Sequence, residues 1–435
     1  MAGLVRDDRR AARRGEELAV CALAFALVVL GGCGQAAARS AASPTPTATV
    51  TRPSAPTATA TPYGVPTPTL TVINVSGPPV RGTPPSWHTS TLPRGFGPVF
   101  HASMLSVAPS DGLTGYTCAL PSNTGMGHPQ VLATHDGAHS WYRVADIPAS
   151  WYSCASLTVD ALDPWFVEAE PDYGATDSHA ISLNGGQSWQ MVKGPEPFAV
   201  IDMATRNGRT YAVLGVNAAN GNGVTMLVAS DDQLRTWRAI DGSLPPAAGG
   251  DPNYRGLWVN PATGAILVEP WVGGAALELW STADEGRHWV QMRSPVNGIV
   301  DFRVQQPQGA GPWHICAEYY PSTDSTSTFV CTKDSGQSWT QLPGLIPNGT
   351  YGLFMFGLPQ DGSLLAYDNT SPGTLYRWPA GAMRWQSLGT YPDQLDYPLF
   401  APTASGGEIW VVAGESDGAG GAGTPNVVYT APIGG

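Results

Sequence analysis

The stretch Ser182-Leu183-Asn184-Gly185-Gly186-Gln187-Ser188-Trp189 recurs along the chain in four further versions. The shared pattern, called the box below, is Ser/Thr-x-Asp/Asn-x-Gly-x-Ser/Thr-Trp, with variation at its Gly and its seventh position. The other copies run from Thr134 to Trp141, Ser230 to Trp237, Thr282 to Trp289 and Thr332 to Trp339. Each copy lies between two short β-prone runs, which is typical of a hairpin turn.

The composition of the box predicts how this turn is held. Ser/Thr and Asp side chains hydrogen-bond backbone N–H groups in turns, and Gly takes the positive φ that a tight hairpin needs. The Trp is expected to pack over the hairpin. A unit of this size cannot bury its apolar face alone, so its repetition predicts stacked modules. We therefore interpret the box as scaffold and not as a ligand site.

The box tryptophans give the period of the repeat. They are spaced by 48 to 52 residues from Trp141 to Trp339, and a degenerate copy ends at Trp385. Four-stranded propeller blades have this length. Ser86–Pro93 looks like a strand that follows a box, and Asn426–Thr430 looks like one that precedes a box. We predict an all-β, seven-bladed β-propeller over residues 86–435, whose last blade the N-terminal strand completes.

These repeats resemble the Asp-box (bacterial neuraminidase) repeats of the sialidase-like superfamily. Similar boxes occur in xyloglucanases, sortilin-type receptors and photosystem II assembly factors. In those families the box lies on the face away from the ligand. The resemblance therefore implies a propeller and leaves activity open.

The first 33 residues have the pattern of a signal peptide. Basic residues precede the apolar run Leu18–Leu30, which is short for a membrane span. Leu30-Gly31-Gly32-Cys33 resembles the lipobox of bacterial lipoproteins, and this resemblance implies lipidation at Cys33. An uncleaved anchor and an ordinary signal peptide are the alternatives. We expect an extracytoplasmic protein attached to the bacterial cell membrane only through this N-terminal lipid anchor.

Residues 34–85 are rich in Thr, Pro and Ala and carry little charge. This composition predicts a disordered, extended linker. The whole chain has a formal net charge of −12 and lacks a basic run in the predicted propeller, which argues against nucleic acid as a partner. No long amphipathic pattern suggests an oligomer, so we expect a monomer.

The cysteines outside the signal are Cys118, Cys154, Cys316 and Cys331. Three pairings are possible. Cys316 and Cys331 fall in consecutive strands of one repeat, which favours a disulfide between them and leaves Cys118 with Cys154. A zinc site is the alternative, but there is no CxxC spacing and no paired His. We expect neither a metal nor a cofactor.

If the box joins the third and fourth strands of each blade, the loops between second and third strands lie on the opposite face, together with the loops between blades. Residues there are acidic and aromatic, which suits glycans, because aromatic rings stack on sugars and carboxylates bind hydroxyls. Solvated loop residues are the alternative. The ligand-binding candidates are Trp151, Glu170, Tyr254, Arg255, Trp271 and Tyr320. The catalytic candidates are Glu318, Tyr319, Glu168 and Glu269.

Two functions remain open. The first is a cell-surface binding module for carbohydrate or protein ligands. The second is an exo-acting glycoside hydrolase resembling sialidases (exo-alpha-sialidase). Sialidases use three arginines, a Tyr–Glu nucleophile pair and an Asp acid/base. Glu318-Tyr319 has the residue types of that pair, and Arg94, Arg255 and Arg293 are arginines to consider. The Arg-Ile-Pro signature of many sialidases is not matched by Leu92-Pro93-Arg94-Gly95.

Overall fold

The structure is a computed structural model, and its described residues belong to the compact unit Ala58–Gly435. The described residues are 68–74, 77–93, 105–108, 110–119, 130–146, 156–160, 163–170, 179–192, 194, 198–206, 208–215, 225–240, 244–245, 253–260, 262–271, 278–305, 307, 309–320, 328–344, 353–368, 373–392, 399–403, 405, 407–412 and 427–433. All regular elements in these ranges are strands.

The strands form seven small sheets, which we number as blades 1 to 7. Three strands precede blade 1: β1 (Thr69–Val72), β2 (Val80–Arg81) and β3 (His88–Thr91). Blade 1 contains β4 (Leu105–Val107), β5 (Gly115–Ala119), β6 (Gln130–Thr134) and β7 (Tyr142–Asp146); blade 2 contains β8 (Ser156–Val159), β9 (Val167–Glu170), β10 (His179–Ser182) and β11 (Gln190–Val192); blade 3 contains β12 (Ala199–Arg206), β13 (Arg209–Gly215), β14 (Thr225–Ser230) and β15 (Arg238–Ala239); blade 4 contains β16 (Asn253–Val259), β17 (Ile266–Trp271), β18 (Glu278–Thr282) and β19 (Val290–Arg293).

The remaining blades follow the same antiparallel order. Blade 5 contains β20 (Ile299–Gln305), β21 (His314–Tyr319), β22 (Thr328–Thr332) and β23 (Ser338–Gln341); blade 6 contains β24 (Leu353–Gly357), β25 (Leu364–Asp368), β26 (Thr374–Trp378) and β27 (Gln386–Thr390); blade 7 contains β28 (Leu399–Pro402), β29 (Glu408–Val412) and β30 (Val427–Pro432), followed by β3 as its fourth strand.

The first strands of neighbouring blades contact one another around the centre of the molecule. Such contacts join β4 to β8, β12 to β16, β20 to β24, β24 to β28 and β28 back to β4. The contact between β28 and β4 joins blade 7 to blade 1. The fold is therefore the seven-bladed β-propeller that the repeat predicts. Blade 7 takes its outer strand from early in the chain, since β3 pairs antiparallel with β30 and His88 stands opposite Thr430.

The N-terminal segment differs from prediction between residues 69 and 81. This part of the predicted linker forms β1, which pairs parallel with β23 on the outer edge of blade 5, and β2, which pairs parallel with β27 on blade 6. Thr69–Val72 alternates threonine with aliphatic residues, which favours an extended strand. Its four side chains are exposed, so pairing with the blade edge holds the strand without burying it. Residues 1–67, including Cys33, lie outside the described residues.

The five box turns share one hydrogen-bond pattern. In the copy that begins at Thr332, the hydroxyl of Thr332 donates to Asp334 Oδ1 at 2.8 Å and accepts from the N–H of Gly336 at 2.9 Å. Asp334 Oδ1 also accepts the N–H of Ser338 at 2.9 Å. The fourth and fifth residues of every copy have positive φ, as a type I′ hairpin turn requires. Gly at the fifth position was predicted to adopt this conformation, and it does in the three copies that have it, as Gly186, Gly286 and Gly336.

Each predicted box tryptophan lies between its own blade and the preceding one. Trp339 of blade 5, 1% exposed, packs with Leu267 and Leu279 of blade 4. Trp385 of blade 6 packs against Phe329 of blade 5. The other box tryptophans are in the equivalent interfaces: Trp141, Trp189, Trp237 and Trp289, with Trp87 in that of blade 7. Because each interface between blades contains one such tryptophan, the repeat of tryptophans along the sequence gives the number of blades.

The cysteine prediction is confirmed for one bridge. Cys316 and Cys331 stand directly opposite each other in β21 and β22 and form a disulfide. Cys118 is also disulfide-bonded. Cys154 lies outside the described residues, so its pairing with Cys118 stays a prediction.

Candidate functional site

Four blades carry a polar side chain at one equivalent position of the second strand. In blade 5, Ile315 pairs with the first box residue, and Glu318 follows three residues later. In the other blades we again take the second-strand residue that pairs with the first box residue and move three residues further along the chain. This position is Glu170 in blade 2, Glu269 in blade 4 and Tyr367 in blade 6. This position is at the end of the strand away from the box turn. The repeat thus places three glutamates at one level of the ring.

Blade 5 adds a second carboxylate opposite Glu318. Asp301 of β20 is the cross-strand partner of Glu318, next to a bulge between Ile299 and Asp301. Cross-strand partners point to the same side of a sheet, so both carboxylates lie on one side of blade 5. Asp301 Oδ1 accepts the N–H of Phe302 at 2.8 Å, which fixes the carboxylate against its own backbone.

Arg303 completes the charged part of the site. Its guanidinium donates to Asp301 Oδ1 at 2.7 Å and to the carbonyl of Phe302 at 3.0 Å. A third contact of 3.5 Å reaches the carbonyl of Met355 in blade 6. The Asp301 and Arg303 side chains keep 39% and 43% of their surface exposed. The pair therefore lies at the junction of blades 5 and 6 with polar atoms still open to solvent.

The surroundings shift the protonation equilibria of this group. Burial raises the pKa of Asp301 above its ordinary value, although Arg303 acts in the opposite direction. Burial also raises the pKa of Tyr367, helped by the negative charges of Glu318 and Asp301 and opposed by Arg303. Burial and Glu318 raise the pKa of Tyr320. Both phenols therefore keep their protons at neutral pH and remain hydrogen-bond donors.

An aromatic cluster continues the site toward blade 7. Tyr367 contacts Phe354 and Phe400, with ring centroids 5.5 and 4.7 Å apart, and Phe356 contacts Phe400 at 4.6 Å. These phenylalanines are half-buried and lie on the first strands β24 and β28, which border the centre of the ring. Tyr367 joins the charged and aromatic parts. We call the whole set the inner-strand site: Asp301, Arg303, Glu318, Phe354, Phe356, Tyr367 and Phe400.

The predicted pair Glu318–Tyr319 does not come together. Successive side chains of a strand point to opposite sides, and Tyr319 packs in the cluster between blades 4 and 5, whereas Glu318 faces blade 6. Adjacent residues of β21 thus cannot serve one substrate atom. Tyr320 lies just beyond β21 and is 37% exposed.

The catalytic candidate Glu168 makes a buried contact with His179 of the neighbouring strand. Its carboxylate lies 3.0 Å from His179 Nδ1, and the two side chains are 9% and 4% exposed. Glu168 is two residues before Glu170 in β9, so the two residues lie on the same side of the strand, with Glu168 nearer the box turn. The Glu168–His179 contact joins two neighbouring strands of blade 2 and is buried there.

The remaining predicted residues are only partly placed. Glu269 is half-buried at the position equivalent to Glu318. The side chains of Glu170, Tyr254, Arg255 and Trp271 lie outside the described part of the structure, as does all of Trp151. Arg94 is outside it as well. Arg293 lies on the outer strand of blade 4 near Glu278, so it does not reach the inner-strand site.

Sequence reasoning missed Asp301, Arg303 and the phenylalanines. The available signal was the alternation in the first strand of each blade, Asp301-x-Arg303 in β20 and Phe354-x-Phe356 in β24. Within the described ranges, no group of three or more His, Cys, Asp or Glu side chains is arranged to hold a metal ion. No helix in that part of the chain is long and apolar enough to cross a membrane.

Comparison with known proteins agrees with the architecture. An oligogalacturonate lyase in complex with manganese aligns with a TM-score of 0.51 at 10% identity, over 82% of this chain and 98% of that one. The WD40 repeats of RRP9 align with a TM-score of 0.50 at 12% identity, over 82% and 99%. At these identities the two likenesses show the propeller fold alone.

A third solved structure, YCF48 bound to D1 peptide, aligns with a TM-score of 0.48 at 13% identity, over 82% of this chain and 99% of that one. No family model and no curated protein sequence matches the chain.

Proposed function

We propose that this chain is an exported, lipid-anchored propeller that acts as a binding module at the bacterial cell surface, with glycan or protein ligands. The proposal rests on one observation: hydrogen-bonding groups and half-buried aromatic rings adjoin at the inner-strand site. Asp301 and Arg303 offer an acceptor and donors that are partly exposed, and Phe356 and Phe400 offer flat apolar faces.

Such a combination suits a sugar ring or a peptide. Aromatic faces stack on the C–H faces of sugars or on aliphatic side chains, while the polar groups orient the ligand. Ligand sites in proteins commonly combine apolar walls with a few placed polar groups. The rings here are fixed by one another, so little conformational entropy is lost when a ligand packs on them.

The test is a direct binding screen with the purified chain. Glycan and peptide arrays identify a ligand, and calorimetry gives its affinity. We expect Phe356→Leu and Asp301→Asn each to weaken binding by about tenfold, as central interface residues do. Phe302→Leu is the matched control, because Phe302 lies on the same strand as Asp301 but packs against Trp258 on the blade 4 side. Equal losses in all three variants would place the ligand elsewhere.

A second function, an exo-acting glycoside hydrolase, is favoured by the opposed carboxylates Asp301 and Glu318. Glycosidases use two carboxyl groups, one of them with a raised pKa as the general acid. Burial raises the pKa of Asp301, which suits that role, while Glu318 on the facing strand would act as nucleophile or base.

Turnover of a fluorogenic glycoside panel led by sialosides separates the two functions. A hydrolase releases fluorophore, and Asp301→Asn or Glu318→Gln abolishes the release. Absence of turnover on every glycoside, in a protein that still binds a ligand through Phe356, leaves the binding module. Metabolic labelling with a radioactive fatty acid tests the anchor, and Cys33→Ala is expected to remove the label.

A further inference from the structure

A cavity lies between blades 5 and 6, beside the box turns and away from the inner-strand site. Its volume is about 360 Å³, which is within the range of small-molecule sites, roughly 300–1,000 Å³. Apolar side chains from the two blades and the N-terminal segment form most of its wall: Ile73, Leu342, Leu364, Trp378 and Met383, with the Cys316–Cys331 disulfide.

The polar end of the cavity carries a lysine. Lys333 Nζ donates to the carbonyl of Gly362 at 3.1 Å, and both residues line the cavity. An ammonium group has three N–H donors, so this contact uses only one of them. Burial lowers the pKa of Lys333, with Asp361 acting in the opposite direction. An anion at this end would stabilise the ammonium charge.

The acidic groups near Lys333 are already engaged. Asp361 forms an ion pair with Arg377 and accepts the N–H of Ser363 at 2.8 Å. Asp334 is turned into its own box turn, where it accepts from Thr332 and Ser338. Asp334 also lines the cavity, but both of its oxygens are held by these box contacts, and Lys333 supplies a positive charge there.

The neighbouring histidine is neutral. Burial, followed by the charge of Lys333, lowers the pKa of His314 to about 4. Its Nδ1 lies 2.7 Å from Gln305 Oε1, so Nδ1 carries the proton and donates it to the amide oxygen. His314 thus adds polarity but no second positive charge.

We propose that this cavity binds a small amphipathic carboxylate, with its carboxylate on Lys333 and its aliphatic or aromatic body against Trp378 and Leu364. The positive charge of Lys333 favours a negatively charged head group, and the apolar wall favours an aliphatic or aromatic remainder of the ligand. This site is separate from the inner-strand site and does not depend on the function proposed for it.

A cavity of similar size between blades 2 and 3 serves as an internal comparison. Its volume is about 370 Å³, and its polar end carries Asp160 and Asp163 in place of a lysine. Phe166 and Ile181 give it a comparable apolar wall. An anionic ligand should therefore favour the cavity with Lys333.

The chain has two lysines, so binding at Lys333 can be tested by NMR of labelled lysine side chains. The lysines are Lys193 and Lys333. Reductive methylation of the full-length chain with ¹³C-formaldehyde gives each a separate NMR signal and keeps its positive charge. Titration with 4-phenylbutyrate is expected to shift the Lys333 signal saturably and to raise its pKa. Lys193 supplies the reference signal.

Two variants test whether Lys333 contacts the carboxylate of the ligand. Lys333→Met is expected to weaken 4-phenylbutyrate binding by about tenfold, the order of one charge-assisted hydrogen bond. Arg384→Met is the matched control, because it removes the same charge beside Met383 without lining the cavity. Ligand binding is followed by isothermal titration calorimetry, and urea unfolding confirms that both variants fold.

The matched ligand 4-phenylbutan-1-ol separates anion recognition from apolar burial. We expect it to bind about tenfold more weakly than the carboxylate. Equal binding of acid and alcohol, equal loss in both variants, or no shift of the Lys333 signal at millimolar ligand would each overturn the proposal.

Discussion

The indole N–H of Trp141 donates a hydrogen bond of 3.2 Å to the hydroxyl of Ser90. Trp141 ends the first box, and Ser90 belongs to β3, the outer strand of blade 7. The same indole packs edge-on against Trp410 of blade 7, with ring centroids 6.2 Å apart. A scaffold residue of blade 1 is thus bonded to the strand that the N-terminal segment contributes to blade 7.

Ser90→Ala should therefore destabilise the propeller. The substitution removes the acceptor of the Trp141 N–H, and an unpaired buried donor costs about 1–3 kcal/mol. Thr89→Ala is the control, because Thr89 is exposed on the same strand. We expect urea unfolding to show the loss for Ser90→Ala and a change below about 0.5 kcal/mol for Thr89→Ala. Equal effects would mean that strand propensity, and not the hydrogen bond, is measured.

Trp339→Ala should cost more, because the indole fills the interface between blades 4 and 5 at 1% exposure. Replacing a buried tryptophan by alanine loses about 3–5 kcal/mol. Trp165→Ala is the matched control at 45% exposure. Thermal unfolding should separate the two variants clearly. An unchanged midpoint for Trp339→Ala would contradict the role of the box tryptophan as a wedge between blades.

The fold was predictable from the box because its parts act locally. Thr332, Asp334 and Ser338 close one turn, and the tryptophan that follows must pack on whichever blade precedes it. β1 was not predictable, because Thr69–Val72 lies in a Thr/Pro/Ala-rich segment and gains its order from the edge of β23. Asp301 and Glu318 meet through a bulge, which shifts register without a distinct sequence signal.

Proline substitutions test the pairing of β1 with blade 5. The N–H of Ile73 donates to the carbonyl of Gln341 at 3.0 Å, and Ile73 also packs against the core between blades 5 and 6. Ile73→Pro should lose about 1–3 kcal/mol from the bond and the side-chain contact. In a parallel pair the bonds alternate, so the N–H of Val72 points away and Val72→Pro should change stability little. Similar losses in both variants would contradict this register.

The box that begins at Ser230 lacks its glycine. Gln233 and Leu234 adopt φ of 58° and 66°, where a side chain costs about 1–2 kcal/mol. Gln233 is exposed, so Gln233→Gly removes this strain without emptying the core. Because glycine also has more freedom in the unfolded chain, we expect a net gain below about 1 kcal/mol. Gly186→Ala, where φ is 81° and the new Cβ would meet Val144 at 3.2 Å, should lose stability.

The box aspartates should make the propeller pH-dependent below pH 4. Burial alone would raise the pKa of Asp136, but hydrogen bonds from Ser140 and Thr134 outweigh it and lower the pKa to about 2. A hydrogen bond from the Thr236 side chain leads the same shift, to about 2, at Asp232. Each folded-state pKa is below the ordinary value of 3.8. Their contribution to stability is therefore complete above pH 4 and is lost as the pH falls toward 2.

One box has an uncharged residue at the aspartate position and therefore serves as a comparison for the pH dependence of stability. Asn184 occupies the aspartate position of its box, accepts the N–H of Ser188 at 3.0 Å and donates to the Ser188 hydroxyl at 2.9 Å. Asp136→Asn should therefore fold with the same turn. Its free energy of unfolding, measured in urea from pH 5 to pH 2, should fall less steeply than that of the unmodified chain. Asn184→Asp should fall more steeply. Parallel pH profiles in all three proteins would show that the box carboxylates are not coupled to folding.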